Sequence, residues 1–272
     1  MANSTTGIAY DRAGPRGGTP VVLLHAGIAD RRMWEPQWST LTTTYDVVRL
    51  DLRGYGESAS RPHGALSPVA DVTDLLDELE ISRAHLIAAS FGAGVAVEVA
   101  LTQPTRVESL LLSAPGGSLI PDMTPQLTEF VEAEDAALEA GDLDTAVQAN
   151  LVTWVDGPHR DADQVDAGVR ELVAAMQRRA FELTDDWDDV EEDELEPSAL
   201  ERLTEIVAPT RVLVGALDLD AIHNAADHVC AGVTRVERTS WADVAHLPSM
   251  ERPDDFTALV DGWLGTNQVV VS

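Results

Sequence analysis

The chain contains no lysine. All 18 basic side chains are arginines, set against 47 Asp and Glu, and the formal net charge is −29 at pH 7. Phosphate backbones are gripped by cationic faces, so this balance disfavours nucleic acid as a partner. It disfavours an anionic membrane surface for the same reason. The acidic shell reads as a solvated, solubilising surface. Its field opposes anionic substrates unless a local arginine offsets it. The single cysteine, Cys230, forbids an internal disulfide and suits a reducing, cytoplasmic compartment. No apolar run approaches the roughly 20 residues that span a bilayer. Met1 to Gly7 is polar and lacks the charged-then-apolar pattern of a signal peptide. Internal repeats and low-complexity linkers are also missing.

What is present is enough chain for one large α/β domain. The 272 residues are 44% apolar, an ordinary globular share, and a domain of this size buries roughly 75% of its unfolded surface. The organising stretch is Leu86-Ile87-Ala88-Ala89-Ser90-Phe91-Gly92-Ala93-Gly94. Leu86 to Ala89 reads as a buried strand, and Phe91 to Leu101 as a packed helix. Ser90 stands at the junction, with Ala88 and Gly92 two residues to either side. A sharp strand-to-helix turn crowds the backbone, so only small residues fit there. Such a turn presents the serine hydroxyl at the end of the sheet. The Phe91 N–H then opens a helix and faces a developing oxyanion. Taken alone, the same pentapeptide also fits a helix N-cap serine.

The rest of the chain alternates strands with helices. Gly7 to Tyr10 suits an edge strand. Val21 to Leu24 is a buried strand ending in His25-Ala26-Gly27, a small-residue loop whose Gly27 N–H is the candidate second oxyanion donor. Met33, Trp34, Trp38 and Leu41 have helical spacing, and Val47 to Leu50 is another strand. In the following loop, Asp51 and Arg53 read as loop-fixing charges. Val69, Val72, Leu75, Leu76 and Leu79 line one helix face, and Val107 to Leu112 is again strand-like. From about Ser118 to Pro197 no strand-like run occurs. Leu127 to Leu138, Asp144 to Val155 and Val165 to Phe181 read as helices of an inserted lid, closed by the acidic run Thr184 to Glu196. The sheet resumes with Thr210 to Val214. A helix over Ile222 to Cys230, a last strand over Thr234 to Arg238, a helix over Phe256 to Leu264 and a tail from Thr266 follow. This pattern predicts a mostly parallel sheet with right-handed crossovers, flanked by helices. Residues 1–117 and 198–272 form the core, and 118–197 the lid.

Ser90, Asp218 and His246 each lie just past a predicted strand, in that order along the chain. Strand ends of a parallel sheet share one edge, where sites gather. A serine hydroxyl is a weak nucleophile at neutral pH, so an imidazole must take its proton, and a carboxylate must orient that imidazole. Asp220 is a rival for the acid. Asp243 lies near His246 but is less well placed. His25 reads as a loop organiser, and His63, His85 and His159 as structural. His223 and His228 are five apart, off the one-turn spacing of a helical zinc pair, so neither a metal nor another cofactor is expected.

This order, the turn around Ser90, the His25-Ala26-Gly27 loop and the loop from Asp51 to Ser58 together resemble the α/β-hydrolase family over nearly the whole chain. The resemblance implies Ser90 as nucleophile, His246 as base, Asp218 as acid, and Gly27 and Phe91 as oxyanion donors. Ala26 and Ala88 stand where that family usually has glycine, and both keep the side chain small. Serine at the turn argues against the epoxide hydrolases and haloalkane dehalogenases of the fold, which use aspartate there. It implies acyl transfer to water, with a small to medium carboxylic ester or a lactone as the small-molecule substrate. The run His25 to Trp38 is similar to the 3-oxoadipate enol-lactonase branch, whose carboxylated substrates require a pocket arginine; Arg32 and Arg160 are the candidates. A C–C bond hydrolase fits less well, since Ala89 precedes the serine. Trp34, Trp154, Leu219 and Leu247 are the expected pocket residues. A non-catalytic ligand binder on this fold is the alternative from a different class.

Overall fold

The alternation of apolar runs and amphipathic stretches is realised as one eight-stranded sheet in a computed structural model, which describes residues 1–267. The strands are β1 (Ala2–Asn3), β2 (Ala9–Ala13), β3 (Val21–Leu24), β4 (Val47–Leu50), β5 (Ala84–Ala89), β6 (Val107–Ser113), β7 (Thr210–Gly215) and β8 (Val236–Trp241). Their order is β1-β2-β4-β3-β5-β6-β7-β8, and only the pairings of β2 with β1 and β4 are antiparallel. Helices α1 (Glu35–Thr44), α2 (Pro68–Glu78), α3 (Phe91–Thr102), α4 (Pro125–Glu139), α5 (Leu143–Asn150), α6 (Ala167–Thr184), α7 (Asp220–Gly232), α8 (Pro248–Glu251) and α9 (Pro253–Asn267) complete the chain.

The central strands are covered on both faces, which is why they read as unbroken apolar runs rather than alternating ones. Every residue of β3 to β6 is buried. On one face the core runs from Val22, Leu86 and Leu110 into Leu75 and Leu76 of α2, Val97 of α3 and Val229 of α7. On the other it runs from Leu23, Ile87 and Leu111 into Trp34, Phe256 and Leu264. This second core continues into Leu127, Leu151 and Met176 of the helical stretch between β6 and β7.

Several boundaries differ from expectation. The last strand lies at Val236–Trp241 rather than Thr234 to Arg238, because it is a half-exposed edge paired only with β7 and carries little apolar signal. The edge strand expected over Gly7 to Tyr10 is Ala9–Ala13, and it is not the edge, since β1 pairs outside it; its polar Asp11 and Arg12 take their places from pairing with β4. The run from Met33 begins as a 3-10 turn, Arg31–Trp34, capped by the Asp30 side chain, before α1 starts. The helix expected over Asp144 to Val155 divides into α5 and a π-helical turn, Leu151–Asp156, which ends at Gly157. The acidic run, open from sequence to either a solvated helix face or a loop, takes the loop form after α6: the Leu66 N–H donates to Glu191 O at 2.7 Å, and the Asp193 N–H to Leu66 O at 2.8 Å. The expected tail from Thr266 begins inside α9, and residues 268–272 lie outside the described residues.

Candidate active site

The turn between β5 and α3 holds Ser90 at φ 49° and ψ −118°, a conformation a non-glycine residue adopts only when its surroundings impose it. Those surroundings include hydrogen bonds with the end of β6, the first turn of α3 and the loop after β6. The Ser90 N–H donates to Ser113 O at 2.9 Å, and the Ser90 carbonyl accepts from Ala93 at 2.8 Å and Gly116 at 3.2 Å. Gly92 faces the end of β3 so closely that a Cβ there would lie 2.5 Å from His25 O. Ala88, by contrast, is buried within the apolar core, where a methyl group packs.

Three strand ends then converge. Asp218 follows β7 and is buried, as is His246 in the loop after β8. His246 Nδ1 lies 2.9 and 3.1 Å from the two Asp218 carboxylate oxygens, and Nε2 lies 2.8 Å from Ser90 Oγ. A carboxylate only accepts, so Nδ1 carries the proton and Nε2 presents its lone pair to the serine hydroxyl. The Leu219 N–H holds Asp218 Oδ1 at 2.8 Å. The rival acids lie elsewhere: Asp220 is exposed at the start of α7, and Asp243 bonds Arg252 at 2.9 Å on the surface. The Gly27 and Phe91 backbones adjoin, since a Cβ on Gly27 would stand 3.3 Å from Phe91 Cβ. Neither N–H has a protein acceptor among the described residues.

The supporting loops behave as organisers. His25 is fully buried; its Nδ1–H donates to Ala26 O at 2.8 Å and its Nε2 accepts from the Leu52 N–H at 2.9 Å. Burial pushes its pKa down and keeps it uncharged. Asp51 accepts from the Arg31 N–H at 2.8 Å and the Glu57 N–H at 2.9 Å. Burial raises its pKa in turn. Arg53 bonds Asp71 at 2.9 Å and the carbonyls of Thr6 and Ser60 at 3.0 Å. His85 is buried against Ser109 Oγ at 2.8 Å, whereas His63 and His159 are exposed and organise no packing.

The expected pocket residues separate. Trp154 lies over the site, its ring centroid 4.6 Å from that of His246 and 5.3 Å from that of Phe130. Leu219 borders a cavity of about 600 Å³ that is also lined by Phe130, Ala149, Val152 and Arg160. Leu247 is buried in the core, in the loop that carries His246. Trp34 is not at the pocket: it is 0% exposed and packs on Phe256, with ring centroids 5.8 Å apart, so no surface is left for a ligand. Neither candidate arginine is free. Arg32 chelates Asp30 through Nε at 2.9 Å and Nη2 at 2.6 Å, and Arg160 binds Glu251 at 2.5 Å.

Two neighbours escaped the sequence reading. A Cβ on Gly116 would lie 3.0 Å from Ser90 Oγ. The Tyr55 ring packs 4.9 Å from that of His25, and its hydroxyl would stand 3.6 Å from a Cβ on Gly27. The Gly116-Gly117 pair after β6 and the aromatic inside the Gly54-to-Gly56 turn were the available signals.

The sequence profile of the alpha/beta hydrolase family matches residues 21–259. A 3-oxoadipate enol-lactonase 1 of Acinetobacter baylyi is 23% identical over 94% of this chain and 92% of its own length. The carboxylesterase YbfK of Bacillus subtilis is 25% identical over 89% of this chain and 79% of its own. The match to the dihydrolipoyllysine-residue acetyltransferase component of an acetoin cleaving system in Pseudomonas putida is 42% identical over 106 residues, and spans only 29% of that protein. Among solved structures, a hydrolase from Pseudomonas aeruginosa superposes with a TM-score of 0.76 at 27% identity, over 95% of this chain and 94% of that one.

Proposed function

The chain belongs to the alpha/beta hydrolase family, and from that membership we propose a serine hydrolase that cleaves a small to medium, uncharged carboxylic ester. The observation that carries the reading is the unbroken relay from Ser90 Oγ through His246 to Asp218, with 2.8 and 2.9 Å links. In this reading Ser90 Oγ attacks the ester carbonyl carbon while His246 Nε2 takes the serine proton. Asp218 holds the imidazole's other N–H and stabilises the imidazolium. The Gly27 and Phe91 N–H groups receive the oxyanion, where a single donor typically lowers the barrier by about 3 kcal/mol. His246 returns the proton to the departing alkoxide, and an alcohol leaves. Water, deprotonated by His246, then attacks the acyl-Ser90, and the acid and free serine result. Residues 118–197 act as a lid that sizes the pocket, and Trp154 and Leu219 remain its proposed lining, whereas Leu247 is sealed in the core.

A lactone hydrolase is the second reading. The chemistry is the same, except that the leaving oxygen stays tethered to the acyl group. The full-length similarity to a 3-oxoadipate enol-lactonase favours it. A carboxylated lactone fits poorly, however, because Arg32 and Arg160 are both already paired with carboxylates in a strongly acidic protein. The test is turnover of a p-nitrophenyl ester series and one enol-lactone by wild type and Ser90→Ala. Ester turnover lost in the variant supports the first reading, and turnover of the lactone alone supports the second. Equal ester turnover by both proteins would refute the serine mechanism. A folded protein that turns over nothing but binds ligand would point to the binder.

A further inference from the structure

Besides Trp154, the helical insertion is tied to the His246 loop by a largely buried cation, Arg160. Arg160 lies just beyond the π-helical turn that carries Trp154. Its Nε–H donates to Asp156 O at 2.8 Å and Nη2 to Val155 O at 2.9 Å, so it holds the carbonyls of that turn. Its Nη1 reaches across to Glu251 Oε2 at 2.5 Å. The second carboxylate oxygen of Glu251 accepts from the Ala245 N–H at 3.0 Å, one residue before His246. The side chains are only 10% and 7% exposed. The turn is also seated directly on both triad loops. A Cβ on Gly157 would lie 2.7 Å from Leu217 O, beside Asp218, and 3.0 Å from Ala245 Cβ. Asp156 is tied in turn to Arg170 of α6.

We propose that Arg160 and Glu251 are positioning residues that lock the Trp154 turn onto the His246 loop, so that the imidazole is aimed at Ser90 by the lid as well as by the sheet. The proposal rests on the triad reading above. It assigns Arg160 a task other than holding a substrate carboxylate. The π-helical turn ends at Gly157, and its last two carbonyls, Val155 and Asp156, which no following turn satisfies, are taken up by the guanidinium.

A buried ion pair can also be retained for stability alone, and removing one partner leaves an uncompensated charge. The test therefore pairs Arg160→Met with the double variant Arg160→Met/Glu251→Gln, in which both charges are gone. Arg160→Lys keeps the charge but cannot reach two carbonyls and Glu251 together. Each variant is assayed on p-nitrophenyl acetate, a substrate too small to depend on pocket shape, with thermal melting in parallel and Ser90→Ala alongside. A misplacement of about 1 Å costs roughly a hundredfold in rate. The expected result is a kcat loss of that order in Arg160→Met and in the double variant, with KM within about twofold. The double variant recovers thermal stability but not kcat, and Arg160→Lys falls between. Wild-type kcat in a folded double variant, or kcat losses that vanish when the melting temperature is restored, would overturn the proposal. Undiminished turnover by Ser90→Ala would instead overturn the triad reading beneath it, so the two failures are separable.

Discussion

Replacing Gly92 by alanine tests whether the α3 N-terminus is as tightly set against the sheet as its geometry implies. The added methyl carbon would meet His25 O at 2.5 Å and Leu24 C and O at 3.0 Å. The first contact is roughly 0.9 Å inside ordinary van der Waals distance. None of these atoms belongs to a side chain that could swing away. Leu24 ends β3, which is hydrogen-bonded to β4 on one side and β5 on the other, so α3 must yield. Overpacking of this kind costs about 1–3 kcal/mol, and contact with fixed backbone places it at the upper end. For a chain of this size that lowers the melting temperature by about 6–12 °C. The same shift carries the Ser90 turn and the Phe91 N–H with it. A displacement near 1 Å costs about a hundredfold in rate, and a lost oxyanion donor alone costs a hundredfold or more. Two internal controls exist. Gly262 and Gly265 lie in α9 with no atom within 4 Å of an added Cβ. Alanine at either should stabilise by about 0.5–1 kcal/mol and leave turnover unchanged. The assay is kcat/KM for p-nitrophenyl acetate well below the melting temperature, with calorimetric melting of all three variants. Wild-type activity and melting in Gly92→Ala would refute the argument from close approach.

Asp218→Asn replaces an acceptor with an amide whose N–H₂ would oppose either His246 Nδ1–H or the Leu219 N–H; kcat should fall by about 10⁴, and a loss under tenfold would remove Asp218 from the relay. Gly116→Ala sets a methyl 3.0 Å from Ser90 Oγ with its other neighbours at 3.5 Å. It should therefore lower kcat/KM by about a hundredfold with little change in melting, and equal losses of both would argue for a packing defect. His85 supplies a pH test: burial pushes its pKa down to about 4 from 6.5. The unfolded chain thus binds the proton first, and stability is complete above pH 6.5 and falls towards pH 4, by about 3 kcal/mol. His85→Gln should flatten the urea-unfolding free energy over that interval by a similar amount, and parallel curves for the two proteins would exclude His85 as the cause.

Strand positions near the middle of the sheet were legible because burial on both faces demands continuous apolar sequence, and β3, β5 and β6 have it. The edges were not. β8 mixes half-buried with exposed residues in no regular alternation and owes its register to pairing with β7, so sequence patterning places it two residues early. The π-helical turn at Leu151–Asp156 is indistinguishable from α-helix in apolar spacing over six residues. Its last two carbonyls, free at the helix end, are bound by Arg160, a partner that comes after the helix has ended.

The site divides along the same line. Ser90, Asp218 and His246 each lie at or shortly past a strand end, so local sequence marks them and the parallel sheet brings them together. The pocket depends on pairs that lie far apart in the chain. Trp34 and Trp154 are the same residue type in apolar surroundings, yet one is sealed against Phe256 and the other rests on His246. Arg32 and Arg160 diverge similarly. Arg32 meets Asp30 two residues away, a local pairing that a sequence can suggest, whereas Arg160 meets Glu251 across 91 positions. Once both arginines are committed, nothing at those two positions offsets the negative field for an anionic substrate. The proposed preference for an uncharged ester or lactone thus rests on where these two arginines are paired, which their number alone does not reveal.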